Sequence, residues 1–201
     1  MSASLPDWAF AGLSDTGLQR ATNQDSYYLS PAGNLFIVAD GMGGHAGGQE
    51  ASRLTTEVIE GYLYEHWVSD RLSSELLEAA VLAANDAVLH EQQRPEMADM
   101  GTTVILLMYR GGQFWCAHVG DSRLYILRES GFIQVTQDHT WINLAITKGN
   151  LLPEQRQTHL WRHMLSKCVG RGDLRLVETQ QLDIESGDRL LLCSDGLTEE
   201  L

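Results

Sequence analysis

The chain has 201 residues, 43% of them apolar, which is enough for one domain with a sizeable core and argues against global disorder. Its formal net charge of −13, from 27 acidic and 14 basic residues, disfavours a nucleic-acid footprint or attachment to an anionic membrane. It does not exclude a phosphorylated substrate, because bound cations reverse a local field.

MSASLPDWAF lacks the basic and apolar regions of a signal peptide, and no run of 18 apolar residues exists. Residues 8–13 and 35–39 read as strands, joined by the polar connection SDTGLQRATNQD. From Gln49 the period turns helical, with an apolar stripe of Ala51, Leu54, Val58 and Tyr62. A second helix is expected over 74–92, capped by Ser73 or Ser74, with Glu75 in its first turn and Leu76, Ala80, Ala83 and Ala87 buried. Strands 102–109 and 113–119 flank the turn Arg110-Gly111-Gly112, and strands 124–127 and 132–135 flank Glu129-Ser130-Gly131. Residues 139–168 mix helix and loop. Strands near 174–179 and 189–193 follow, separated by Glu185-Ser186-Gly187-Asp188, and DGLTEEL opens a helix. Helices inserted among many hairpins favour an α+β layering over a doubly wound parallel sheet. Cys116, Cys168 and Cys193 show no ligand spacing and suit a reducing, cytoplasmic compartment.

The chemistry concentrates at strand exits. In VADGMGGHAGG (38–48) an apolar strand runs into Asp40, and glycines follow that let backbone approach a ligand. Asp121 in VGDSR and Asp195 in CSDG repeat the pattern, and Asp25 closes RATNQD. Each aspartate alone reads as a turn or cap residue. Together they suggest a set of hard oxygen ligands for Mg²⁺ or Mn²⁺, and metal-assisted chemistry. Arg20 suits a phosphoryl group, with an ion pair to Asp25 or Asp15 as its structural alternative. Asn23 positions the loop or touches substrate; Arg123 pins the hairpin near Asp121. Thr102 packs against the site from below; His139 supports it from behind. His45 is the best acid candidate, with a plain loop role as its alternative. His118 reads as a core histidine, and His159 and His163 do not form HExxH. No GxSxG elbow and no phosphate-loop lysine is present.

GLSDTGLQRATNQD (12–25), FIVADGMGGHAGGQEAS (36–52), MGTT (100–103), HVGDSRLY (118–125), QDHT (137–140) and LLLCSDGL (190–197) occur in one order across nearly the whole chain. In this combination the chain resembles the metal-dependent protein serine/threonine phosphatases of the protein phosphatase 2C type, in their compact bacterial form. The resemblance implies a central antiparallel β-sandwich flanked by helices on both faces, and hydrolysis of phosphoserine and phosphothreonine by a metal-bridging hydroxide without a phosphoenzyme. It implies that Asp40 bridges two ions, that Asp195 binds the first, and that Asp25 and the Gly41 carbonyl hold the second. Asp121 with Asp195 holds a third, Arg20 clamps the phosphate, and His45 is a general-acid candidate. It also implies phosphoprotein partners, opposition to Ser/Thr kinases, a monomer, and a variable flap over 141–168. Family members continue past SDG to a DN motif that this chain does not show, so the expectation is a single domain over 1–201 truncated before that motif, with weaker binding of the first ion. The competing reading is a non-catalytic phosphoprotein-binding module of the same fold.

Overall fold

The computed structural model describes residues 8–18, 20–44, 46–129, 131–156 and 158–198. His45, Ser130 and residues 199–201, for which the sequence suggests an acid, a turn and a helix continuation, lie outside them.

Two antiparallel sheets face each other. The larger runs β1 (Asp25–Leu29), β2 (Leu35–Met42), β4 (Val104–Arg110), β5 (Gln113–Val119) and β8 (Glu178–Leu182), with the short β3 (Gly101–Thr102) paired to the end of β2. The smaller is β7 (Gly131–Gln134), β6 (Arg123–Arg128) and β9 (Arg189–Cys193). Helices α1 (Gly47–His66) and α2 (Ser73–Glu91) pack on each other and on the larger sheet. Two short helices, α3 (Trp141–Thr147) and α4 (Asp195–Thr198), and 3₁₀ turns at Pro95–Met97 and Pro153–Gln155 complete the described elements.

Strand β4 explains the layering. It is apolar at nearly every position, as a strand covered on both faces must be. Val104, Leu106 and Met108 point into the core beneath the helices with Leu35 and Ile37; Ile105 and Leu107 point into the core between the sheets with Cys116, Leu124, Leu190 and Leu192. The period of two thus assigns faces along β2 as well. Phe36 and Val38 face the inter-sheet core, and Asp40 continues that face beyond the last apolar residue.

Several local expectations shift. Residues 8–13 form no strand. Trp8 instead donates Nε1–H to Gly33 O (2.9 Å) and packs edge-on to Tyr109, while Phe10 packs on Phe36, so aromatic contacts anchor this segment without a ladder. The first strand is DSYYL, hidden in sequence because it begins on an aspartate that reads as the end of a polar loop. The buried face of α1 centres on Ala51, Thr55, Ile59 and Leu63, with Leu54, Val58 and Tyr62 on its flank. In α2 the N-cap is Leu72, with no side-chain cap bond from Ser73 or Ser74; the face turns toward Leu77, Val81, Ala84 and Val88, leaving Ala83 and Ala87 half-buried. The strand expected at 174–179 starts at Glu178, where pairing with β5 begins.

Candidate active site

Register builds the site. Asp25 and Asp40 are direct partners across the β1–β2 ladder, so their side chains leave the same face. Like charges at such a position are destabilising unless a proton or a cation intervenes. Asp195, one residue past Ser194 at the exit of β9, joins them: Asp40 lies within hydrogen-bonding range of both Asp25 and Asp195. Ser194 Oγ donates to Asp25 Oδ2 at 2.7 Å and ties the two sheets together. Burial above all, then the charges of Asp25 and Asp195, push the Asp40 carboxyl far above the usual carboxylate range. Asp121 is raised to about 7, chiefly by burial and then by Asp195 and Asp138. These four carboxylates form one electrostatic unit that a divalent ion would relieve.

The backbone of Asp40 is fully held. Its N–H donates to Thr103 Oγ1 (3.0 Å); its carbonyl accepts from Thr102 Oγ1 (2.8 Å) and from the Thr103 N–H (2.9 Å). Thr103 Oγ1 also shares a hydrogen bond with Ser122 Oγ (2.6 Å), which links the site to the strand after Asp121. Gly41 N–H donates to Gln24 O (3.0 Å), and Ser52 Oγ in α1 donates to the same oxygen (2.6 Å). A Cβ on Gly41 would stand 1.9 Å from the Gly48 carbonyl oxygen, so the glycines let α1 begin directly against β2.

The remaining expected residues sit around this set. Arg20 is exposed and donates to Gln24 Oε1 (3.3 Å), whose amide donates to Gly44 O (3.0 Å). Asn23 accepts from the Asp25 N–H (3.0 Å) and donates to Ser14 Oγ (2.6 Å). Arg123 forks onto Asp138 (2.9 and 2.7 Å) and bonds Tyr125 Oη. His139 accepts from the Gly120 N–H (3.1 Å), next to Asp121, and bonds Glu178 (2.9 Å). Sequence reasoning missed Gln24, Thr103, Ser122 and Ser194. Gln24, Ser122 and Ser194 each stand one residue from an expected aspartate, which was a signal; Thr103 reaches Asp40 only through the pairing of strands far apart in sequence and left none.

The donor chemistry fits hard divalent ions. Carboxylates from three separate strand ends converge, burial and two neighbouring carboxylates disfavour a bare charge on Asp40, and Arg123, the basic group nearest Asp121 in sequence, is committed to Asp138. His118, His139 and Glu178 additionally place three potential ligand atoms within 4.8 Å of one another, a composition that could hold a divalent ion. Among the described residues no helix is long and apolar enough to cross a membrane.

The family model described as protein phosphatase 2C matches residues 18–201. The serine/threonine protein phosphatase PstP of Mycobacterium tuberculosis is 35% identical over 94% of this chain; the chain spans 36% of that protein's length. The crystal structure of the M. tuberculosis serine/threonine phosphatase PstP/Ppp superposes with a TM-score of 0.83 at 34% identity, covering 94% of this chain and 79% of that one. The catalytic domain of PstP in complex with two manganese ions gives 0.76 at 33% identity, with 94% and 78% covered.

Proposed function

Because the chain belongs to the protein phosphatase 2C family, we propose that it is the catalytic part of a metal-dependent protein serine/threonine phosphatase. The observation that carries this reading is the half-buried set of Asp40, Asp25 and Asp195, held as a unit by Ser194 and by the paired strands β1 and β2. A related catalytic domain binds two manganese ions, which supports Mn²⁺ or Mg²⁺ here.

In this reading Asp40 would be shared between two ions, Asp195 would hold the first, Asp25 and the Gly41 carbonyl the second, and Asp121 with Asp195 a third. Bound there, the ions supply Lewis acidity and an acidified water for attack on phosphorus. The chain's own groups do the rest. Thr102 and Thr103 fix the Asp40 backbone, so its carboxylate is preorganised. Arg20 swings from Gln24, an exposed neutral partner that is readily exchanged, to clamp the phosphoryl oxygens. The P–O bond to serine or threonine breaks as the new P–O bond forms, and the leaving oxygen takes a proton, with His45 as the acid candidate. Residues 141–168 supply substrate choice; their cleft of about 340 Å³ is lined by Trp141, Leu144, Lys148, Leu151 and Trp161. Phosphoproteins made by Ser/Thr kinases are the partners, the molecule is a monomer, and the three free cysteines support a reducing, cytoplasmic setting.

The test is phosphate release from a phosphothreonine peptide with Mn²⁺ and with chelator, for the wild type and Asp40→Ala. Mn²⁺-dependent release lost in the variant is expected. Retained metal-dependent release in Asp40→Ala would remove the bridging role. Binding of the peptide without turnover, in a folded and metal-loaded protein, would favour a phosphoprotein-binding module instead.

A further inference from the structure

Beside the carboxylates lies a cluster that the reaction does not use. We propose that His139 is a positioning residue: it holds the Gly120 peptide at both ends and thereby fixes where Asp121 stands, with Glu178 and Lys167 fixing His139 in turn. The inference rests on the reading of Asp121 as a metal ligand.

Gly120 has φ +107°, and a Cβ there would meet Thr103 Cβ at 2.6 Å, so only glycine fits. A glycine has no side chain to limit its rotation. Its orientation therefore depends on hydrogen bonds. The Gly120 N–H donates to His139 Nδ1 (3.1 Å), and the His139 N–H donates to Gly120 O (2.9 Å). Since Nδ1 accepts, the ring proton sits on Nε2 and is donated to Glu178 Oε1 (2.9 Å). Lys167 Nζ donates to the same oxygen (2.9 Å), so Glu178 is anchored from its far side. The His118 ring stacks on His139, with centroids 4.5 Å apart and planes 10° apart, and holds it in plane. Burial, then the neighbouring His118, lowers the His139 pKa to about 4, which keeps the ring neutral and Nδ1 free to accept.

The same residues have the composition of a metal site, but their present arrangement is a hydrogen-bonded one. Both nitrogens of His139 are engaged. His118 Nε2 lies 3.0 Å from the Gln137 carbonyl, which only accepts, so it carries a proton. Imidazole lone pairs lie in the ring plane, and two parallel stacked rings do not aim them at one point. The Lys167 ammonium already supplies the cation that Glu178 would share with an ion.

The experiment compares His139→Leu, His139→Asn, Glu178→Gln and Asp121→Asn in the full chain. Mn²⁺ binding is read by calorimetry and Gly120 amide exchange by mass spectrometry. Leucine removes the Nδ1 acceptor, whereas the asparagine carbonyl replaces it. Loss of a second-shell partner lowers metal affinity by about 10–100-fold, so His139→Leu is expected to weaken the weakest Mn²⁺ site by about tenfold or more. The tighter sites stay within about twofold, and Gly120 exchange rises in step. His139→Asn recovers most of the affinity, and Glu178→Gln, which keeps an acceptor for Nε2–H, has the smaller effect. An unchanged weak site in Asp121→Asn would overturn the ligand reading itself. With that site lost in Asp121→Asn, an unchanged site in His139→Leu would overturn the positioning role alone. Equal weakening of all sites, or asparagine no better than leucine, would overturn it too. So would stoichiometric Zn²⁺ binding by the wild type that Glu178→Gln abolishes, since the cluster would then be a metal site.

Discussion

Gly41→Ala adds one methyl group at the tightest contact of the site. Built on the existing backbone, the new carbon stands 1.9 Å from the Gly48 carbonyl oxygen, 2.4 Å from the Gly48 carbonyl carbon and 2.8 Å from Gln24 O. Even a close C–H···O contact needs about 3.3 Å, so β2 and the first turn of α1 must part by more than about 1 Å. Every obstructing atom is backbone, and no rotamer change relieves the clash. The separation also pulls on two hydrogen bonds that end on Gln24 O, from Gly41 N–H and Ser52 Oγ. Overpacking costs about 1–3 kcal/mol; with nothing flexible to yield, the upper end applies. For a chain of this size about 3 kcal/mol lowers the melting temperature by roughly 6–12 °C. The displaced segment carries Asp40, so Mn²⁺ affinity falls about tenfold or more. Calorimetric melting and Mn²⁺ titration measure both. Gly61→Ala is the control: it lies in α1 with open space around its Cβ position, and alanine there gains about 0.5–1 kcal/mol of helix propensity. A Gly41→Ala protein that melts within about 2 °C of wild type and keeps its Mn²⁺ affinity would refute the close-approach argument.

Thr103→Val removes the acceptor of the Asp40 N–H and the link to Ser122; about 1–3 kcal/mol of stability is lost, with weaker Mn²⁺ binding, measured by denaturant titration and calorimetry. Equal stability would show that water replaces the hydroxyl without cost. Asn85→Ala unpairs the Gly170 and Arg171 N–H groups and the Arg171 carbonyl, which costs about 3 kcal/mol, yet phosphate release per folded molecule is unchanged because Asn85 bonds none of Asp25, Asp40, Asp121 and Asp195 and the Val169–Thr102 pairing is kept by its own backbone bonds. A fall in specific activity would place that segment in the catalytic unit. Without metal, Asp121 binds its proton more tightly in the folded state, where its pKa is about 7, than in the unfolded chain at 3.8. That contribution is complete below about pH 4 and is lost as pH rises through 7, so metal-free wild type loses stability over this range relative to Asp121→Asn. Parallel stability–pH curves for the two proteins would contradict the raised pKa.

The sequence displayed strand exits more clearly than strand partners. Asp40 and Asp195 were legible because an apolar run stops at each. Their convergence was not, because it depends on register: Asp25 faces Asp40 only through β1, a strand whose sequence DSYYL begins on the ligand itself. The two buried cores were readable from β4, where apolar residues occupy both parities. The N-terminal aromatic segment was not, since Trp8 and Phe10 are equally suited to a strand and to capping one. His139 illustrates the limit most plainly. Its residue type suggested a supporting role, but the tautomer follows from a glycine N–H nineteen positions away.

The bond from Ser194 to Asp25 joins residues 169 positions apart. Contacts of such span close late in folding, after the local hairpins β1–β2 and β4–β5 have formed. On a ribosome the order is stricter, because β9 and Asp195 emerge after β8, the last strand of the larger sheet. An ion held jointly by Asp25, Asp40 and Asp195 would therefore report that both sheets have docked.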